Sequence, residues 1–579
     1  MALPTYTMAC FKLPSTVCQQ IASVMAEFWW KNKKDSRGMH WKAWDQLSKP
    51  KSEGGLGFRD IEAFNIAMLG KQLWRIITKK ESLLGRIYKS RYFSNSDPLL
   101  APLGSRPSFA WKSIHAAQDL IKQGFRIVVG NGASTEIWQH QWLSAKPARG
   151  VQSVNWNQQR ICRSVASLRY VKDLLVANGR EWNMDLIHTV FPEVVVQQIA
   201  QIRPGGLNTE DSFAWDYSNN GQYSVKSGYW VLMEVIRRKN RPQEVLQPSL
   251  NPIFQQVWKT DASPKLQHFL WKCVSNCLSV AGNLSYRHLA REGSCIRCPS
   301  QVETVNHLLF KCAFARLVWA ISPIPAPPGS EWSDSLYQNI YYLQNINQEH
   351  SQLNLEGCLA PWILWRLWKS RNDYIFKGRE ISAQEVIRRA KEDEEEWRMR
   401  KEQSSQLPQV VRTEQHRAKW KSPQPGWVKC NTDGAWNAES INCGIGWILR
   451  DHEKKVLWLG ARSLPRVGKV LEVEVESLRW AVLSMARFNY RKVIFETDSQ
   501  QLVSLIKGEQ ENNHLNPMIQ DIKHLLQQFE EYRVEFTFRE GNGVADRIAK
   551  ESLSFENHDP KLYSIMPMWI KPFVDIDNM

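Results

Sequence analysis

The chain has 579 residues, 43% hydrophobic and 23% charged, with a formal net charge of +17 and a pI near 9.3. That length is too great for one core and predicts three or four modules of ordinary globular composition. The positive excess favours a polyanionic partner, nucleic acid first, over a neutral surface. Eleven cysteines with only one tight cluster argue against a disulfide framework. No apolar run approaches the roughly 20 residues of a membrane span, and "MALPTYTMACFKLP" lacks the regions of a signal peptide. An intracellular, reducing location without a membrane partner is expected, the nucleus ahead of the cytoplasm.

Residues 1–150 read as a basic, tryptophan-rich region of helical pattern. In "FWWKNKKDSRGMHWKAW", Trp29, Trp30, Trp41 and Trp44 alternate with Lys31, Lys33, Lys34, Arg37 and Lys42. Such mixing suits base stacking and phosphate contact. Helix residues with inward-packed tryptophans fit slightly better. Residues 151–221 form a connector with little pattern. A mostly helical module follows over 222–320. "SPIPAPPGS" then breaks the chain, and 321–424 is expected to be a linker with a mixed-charge helix, "AQEVIRRAKEDEEEWRMRKEQ".

Within 222–320, "CIRCPSQVETVNHLLFKC" supplies Cys295, Cys298, His307 and Cys312. Two cysteines two residues apart can grip one ion from a tight turn, and a His and a Cys from the next element close a tetrahedron. Three thiolates and an imidazole select Zn²⁺, and four filled positions predict a structural site. The alternative is a set of reduced, buried cysteines. Cys273 and Cys277, in an apolar helical setting, read as core residues.

The pattern changes at residue 425. "GWVKCNTDGA" is a strand ending at Asp433; two further strands, a helix over 471–488, a strand ending at Asp498, two helices, a strand over 533–540 and a last helix carrying Asp546 complete a β-β-β-α-β-α-α-β-α order over 425–555. Residues 556–579 read as a tail. A right-handed crossover would lay the fourth strand parallel to the first, so that Asp433 and Asp498 emerge at one sheet edge. Glu476, at the flank of the apolar face of its helix, and Asp546 could reach that edge. Four converging carboxylates would repel unless cations joined them. Two Mg²⁺ ions suit such oxygen ligands and can activate water at a phosphodiester. Taken singly, Asp433 could be a turn residue, Asp498 a helix cap, Glu476 a surface residue and Asp546 a first-turn charge.

"NTDGA", "VESLRWAV", "ETDSQQLV" and "REGNGVADRIAKES" resemble the signature stretches of the type-1 ribonuclease H family, in particular the domain carried by plant LINE-type (non-LTR) retroelements. "CIRC…ETVNHLLFKC" resembles their reverse-transcriptase-associated zinc-binding module. "ALPTYTMACFKLP" and "SEGGLGFRDIEAFN" resemble the segment that follows their polymerase. The resemblance implies a multidomain chain, helical in its N-terminal and zinc-binding regions, that ends in an α/β ribonuclease H-like domain with a mixed five-stranded sheet. It also implies cleavage of the RNA strand of RNA–DNA hybrids, with Asp433, Glu476, Asp498 and Asp546 holding two Mg²⁺ or Mn²⁺ ions. Hybrid choice would rest on 2′-hydroxyl and A-like minor-groove contacts.

Three departures qualify that implication. No Asp-Asp pair occurs, so the polymerase motif is missing and the chain looks like the rear portion of an element protein. "FREGNG" offers no His before the last Asp, which predicts slower product release. A basic substrate-handling insertion is not evident around 508–516. A nucleic-acid-binding protein with a weak or unused nuclease site, and a zinc- and tryptophan-rich interaction scaffold, are the competing readings.

Overall fold

The computed structural model describes residues 4–31, 38–94, 97–143, 168–236, 249–298, 302–349, 359–405 and 420–578. Lys33, Lys34 and Arg37 of the tryptophan-rich stretch fall outside them. The chain forms two compact units. One gathers Met1–Lys12, Phe64–Asn240 and Arg412–Met579; the other gathers Leu13–Ala63 and Arg241–Val411. The N-terminal region expected over 1–150 is thus shared between two bodies.

The second unit is helical around one core. Helices Ser15–Trp30, Asn251–Lys259, Pro264–Val274, Ala313–Ala320, Leu336–Glu349, Leu359–Lys377 and Ala383–Ser405 contribute to it. Trp30 and Trp271 are buried, and Trp41 and Trp44 pack against the core from its rim. Trp44 also stacks on Phe58 at 5.0 Å. The tryptophans of the basic stretch therefore serve packing. Cys273 and Cys277 are core residues as well, and burial raises both thiol pKa values, that of Cys277 to about 11.

Residues 321–405 are not the expected linker. Trp362, Ile363, Leu364 and Leu367 on Leu359–Lys377, and Val386, Ile387 and Ala390 on Ala383–Ser405, belong to the same core. Only the charged face of the latter helix is solvated, with i,i+3 and i,i+4 pairs such as Arg388 to Glu385 at 2.6 Å. Pairs of this kind contribute a few tenths of a kcal/mol each, so the buried apolar positions fix this helix in place.

The first unit contains a two-stranded antiparallel ribbon and a six-stranded sheet. Strands β1 (Phe125–Val128) and β2 (Ser212–Trp215) pair with Phe125 opposite Trp215. Trp215, Trp74 and Tyr223 fill the core beneath them. The sheet is built from β3 (Val428–Ala435), β4 (Asn442–Arg450), β5 (Val456–Pro465), β6 (Lys492–Thr497), β7 (Glu531–Phe536) and β8 (Lys561–Tyr563), in the order β7-β6-β3-β4-β5-β8. β6 lies parallel to β3 and β7 parallel to β6; the other neighbours are antiparallel. The sheet has one strand more than the five expected, because the supposed tail returns to pair as β8. Its last helix, Lys571–Asn578, is tied down by Asp577, which accepts from the buried Arg450 at 2.9 Å.

Both faces of the sheet are covered, which explains the near-continuous apolar run of β4. Trp447 and Leu449 face helices Val470–Arg487 and Asn516–Leu526, while Ile448 faces helix Gly543–Ser552. The Gly543–Ser552 helix approaches β4 closely enough that a Cβ on Gly446 would stand 2.6 Å from the Ala549 nitrogen.

The same unit joins this sheet to the Phe64–Asn240 segment through buried charge. Arg180 donates twice to Asp521, both at 2.8 Å. Arg479 donates to the Pro204 carbonyl at 2.6 Å and Arg203 to the Pro465 carbonyl at 2.8 Å.

Candidate active site and metal centre

The register of the parallel pair decides where the first two acids meet. Asn431 on β3 stands opposite Glu496 on β6. Two residues further on, Asp433 and Asp498 leave the sheet level with one another. Gly434 follows Asp433, and a Cβ there would lie 2.8 Å from Val473 Cγ1 and 3.1 Å from the Glu474 nitrogen. The missing side chain lets helix Val470–Arg487 settle onto the strand end, bringing Glu474 to the two aspartates. One carboxylate oxygen from each of Asp433, Glu474 and Asp498 lies within 4.8 Å of the others.

Glu474 corrects the expectation for this helix. Glu476 does not face Asp433. It accepts from Arg479 Nη2 at 3.2 Å, and its charge lies close to that of the half-buried Arg203. The cause is helical phase. Glu474 heads the stripe that continues through Leu478, Ala481 and Met485, all buried, whereas Glu476 is turned about 200° away at 100° per residue. Counting the wheel from Glu474 would have found it, since a carboxylate on a core stripe demands a reason for its burial.

Asp546 lies at the margin of the trio. It sits in the first turn of Gly543–Ser552, and its charge, with that of Asp498, raises the Asp433 pKa. Its own carboxylate accepts from Lys550 at 2.6 Å and is faced by Arg539 at 3.8 Å. Arg539 opens the short turn Arg539–Gly541, on the loop that carries no His. Asn542, next in the chain, donates to the Thr432 carbonyl at 3.0 Å and so pins that loop to the strand that carries Asp433.

The electrostatics show carboxylates crowded together, with Arg539 and Lys550 compensating only at the Asp498 and Asp546 side. Burial, then the charges of Asp498 and Asp546, raise Asp433 to about 8. Burial, then Asp433 and Asp498, push Glu474 well above its usual range. Asp498 is raised chiefly by burial. Oxygen-only donors, buried and mutually repelling, fit hard divalent cations.

A pH dependence follows. The unfolded chain loses the Asp433 proton near 3.8 and the folded protein near 8. Between those values the folded state holds more protons, so rising pH favours unfolding. In buffer without added divalent ion, thermal stability is expected to fall from pH 5 to pH 8 through this cluster. Added Mg²⁺ should restore it at pH 8, and Asp433→Asn should flatten the profile. Melting curves across that range, with and without Mg²⁺, check all three.

The second constellation lies in the helical unit. Cys295, Cys298, His307 and Cys312 each place one donor within 4.8 Å of the others. Cys312 Sγ is 4.0 Å from Cys295 Sγ and 3.6 Å from Cys298 Sγ, and Cys298 Sγ is 3.0 Å from His307 Nε2. Two sulfurs bound tetrahedrally to one zinc at ~2.3 Å are about 3.8 Å apart. The four residues named from spacing therefore form a Cys₃His set of zinc type. Hydrogen bonding from Cys312, the larger effect, against burial holds the Cys295 thiol down at about 4, the thiolate form a metal needs.

Local structure aims these ligands. The Thr304 hydroxyl accepts from the His307 N–H at 3.0 Å, and His307 opens a π-helical turn, His307–Lys311. Cys312 precedes helix Ala313–Ala320. The loop is bolted to helix Leu359–Lys377 by a buried bidentate pair, Arg371 to Glu303 at 3.0 and 2.6 Å. Arg297 adds a second tie: it lies 3.6 Å over the Phe314 ring and donates to Ser370 Oγ at 2.8 Å.

A mixed sheet with acids at the ends of adjacent strands, helices on both faces and a Cys₃His module define a ribonuclease H-like protein with a zinc-binding partner module. Two family models match: "Reverse transcriptase-like" over residues 431–552, which contains Asp433, Glu474, Asp498 and Asp546, and "zinc-binding in reverse transcriptase" over 223–319. The Arabidopsis thaliana "Uncharacterized mitochondrial protein AtMg00310" is 43% identical over 144 residues, 25% of this chain and 94% of that protein. The Arabidopsis thaliana "Putative ribonuclease H protein At1g65750" is 26% identical over 578 residues, covering 96% of this chain and 87% of that protein. A solved ribonuclease H1 from the archaeon Halobacterium salinarum is 23% identical, covers 22% of this chain and 97% of its own, and superposes with a TM-score of 0.21. The chain belongs to the plant retroelement proteins that join a reverse-transcriptase-associated zinc-binding module to a ribonuclease H-like domain.

Among the described residues, no helix is long and apolar enough to cross a membrane.

Proposed function

We propose that the protein is an endonuclease that hydrolyses the RNA strand of RNA–DNA hybrids with two Mg²⁺ or Mn²⁺ ions, and that Zn²⁺ is a structural ion of the helical unit. The observation that carries this reading is the trio of buried Asp433, buried Glu474 and half-buried Asp498, whose donors lie within 4.8 Å of one another. These three, with Asp546 at their margin, would hold the ions. When bound, such a pair supplies an activated water and charge stabilisation at one phosphodiester.

The chain's own groups provide the frame. Asp433 accepts from the Gly434 N–H at 2.9 Å, which fixes one of its carboxylate oxygens. Burial keeps bulk water from screening the developing charge. The sheet edge below the site is held by Lys429, Asn431 and Glu496: Glu496 accepts from Lys429 at 2.6 Å and from Asn431 at 2.9 Å. Movement of β6 against β3 would therefore break a buried ion pair.

Asp433→Asn is the direct test. Cleavage of a labelled hybrid in Mg²⁺ is expected to disappear while the melting temperature in the absence of Mg²⁺ holds or rises. Retained cleavage in that variant would overturn the proposal. A second reading, hybrid binding with little turnover, is favoured by the state of Asp546, engaged by Lys550 and faced by Arg539. It predicts wild-type binding without product in the same assay.

A further inference from the structure

The nuclease reading absorbs the acids and the zinc site but leaves a cleft of about 500 Å³ in the first unit unused. One wall is the stretch Asp216–Asn219 with Trp230; the other is the start of helix Val470–Arg487 with His514. The helix start includes Lys469 and Glu472, within five residues of Glu474. A neighbouring cleft of about 450 Å³ shares Asn219 and continues through Asn220, Gln222, Gln501, Gln510 and Asn512. Gln501 stands three residues after Asp498. Both clefts thus adjoin the elements that carry the proposed metal ligands.

The stretch between the clefts, residues 217–222, comes from outside the nuclease fold and is held by it at several points. His514 Nε2 donates to the Ser218 carbonyl at 3.1 Å, Lys469 to the Asn219 carbonyl at 3.1 Å and the Asn513 N–H to the Asn220 carbonyl at 2.8 Å. It occupies the neighbourhood of residues 510–514, where the sequence lacks a basic insertion.

The first cleft combines three kinds of chemistry. Trp230 is 50% exposed although it ends a packed helix, and its ring lies 5.7 Å from that of Tyr217. Arg126 balances Asp216 at 2.8 Å and donates to His514 Nδ1 at 3.0 Å, so the Asp216 carboxylate is neutralised. Lys469 brings positive charge to the cleft, while the Glu472 carboxylate is taken up in capping the helix start, where it accepts from the Gly468 N–H at 3.0 Å. An open aromatic face beside phosphate-binding groups is the pattern of a single-stranded nucleotide site. The amides of the second cleft can donate to and accept from base edges and 2′-hydroxyls.

We propose that the first cleft is a nucleotide subsite, which takes an unpaired residue of the substrate strand where it runs on past the hybrid, its base stacked on Trp230 and its phosphate against Lys469. This rests on the nuclease reading for its substrate. The upstream segment then supplies part of the nucleic-acid track that the nuclease fold lacks.

The test uses the full-length protein carrying Asp433→Asn, to prevent cutting, and fluorescence anisotropy with three probes: a blunt hybrid, the same hybrid with a single-stranded RNA extension, and the extension alone. The extended hybrid is expected to bind at least about fivefold tighter than the blunt one, as one stacked base would give. Trp230→Ala should abolish that difference and Trp230→Phe should keep most of it, with blunt-hybrid affinity unchanged in both. Equal binding of blunt and extended hybrids, or an advantage that survives Trp230→Ala, overturns the subsite. Trp230-dependent binding of the extension alone and of the extended hybrid to the same degree, with no affinity for the blunt hybrid, would support the subsite and sink the hybrid-nuclease reading. Absence of binding to all three would sink both.

Discussion

Glu474→Gln is expected to lower hybrid cleavage by at least about a thousandfold, in the range seen when a major electrostatic contributor is removed from a site. Glu476→Gln, two residues away, should leave the rate per folded molecule nearly unchanged. The two variants should also move stability in opposite directions. Glu474 is buried against Asp433 and Asp498, so neutralising it relieves repulsion and should raise the melting temperature at pH 8 without Mg²⁺. Glu476 answers the buried Arg479 and the half-buried Arg203, so neutralising it leaves these cations short of a counter-charge. The cost is about 1–3 kcal/mol. One comparison of melting temperature and initial rate for the two variants decides which glutamate belongs to the site. A rate loss in Glu476→Gln with none in Glu474→Gln would reverse the assignment.

Zinc loss should have the largest effect on stability. Small zinc fingers draw about 10–16 kcal/mol of folding energy from their metal. This unit has its own hydrophobic core and should lose less. It should still lose more than the roughly 2–5 kcal/mol of a large-to-small core substitution, because three thiols and an imidazole would be left packed together, with Arg371 and Glu303 stacked behind them. At about 2–4 °C per kcal/mol for a unit of this size, Cys312→Ser or a strong zinc chelator should lower one calorimetric transition by at least ~10 °C. A second transition, belonging to the nuclease-containing unit, should stay in place. Zinc content measured on the purified protein should fall from about one equivalent, the expected filling of one four-ligand site, in step with the shift. An unchanged thermogram after complete zinc removal would show that the cysteines are core residues only.

Chain order carried much of this site, and its limits have physical causes. The zinc ligands span fewer than twenty residues, so their spacing alone encodes their meeting. Asp433 and Asp498 were legible because strands of regular pattern end at them and a right-handed crossover sets the two strands side by side. Glu474 was missed by a phase error of two residues on a helix whose buried positions wrap much of its circumference. β8 is three residues long, with no alternation to read. The helix Ala383–Ser405 looked like a spacer because its charged face dominates its composition, while Val386, Ile387 and Ala390 do the anchoring. The contact between Arg180 and Asp521 spans 341 residues, beyond any local pattern.

That last contact changes how the protein can be handled. Asp521 is wholly buried in a bidentate embrace by Arg180, and Arg479 reaches across to Pro204. A fragment trimmed to the catalytic fold would carry these groups on a raw face, a carboxylate and a guanidinium stripped of their far-sequence counterparts. Such a fragment is a poor reagent: sparing solubility and lost turnover would report the cut, and would say nothing of the catalyst. Expression of the full chain keeps the two surfaces together and leaves Leu13–Ala63 in the helical unit.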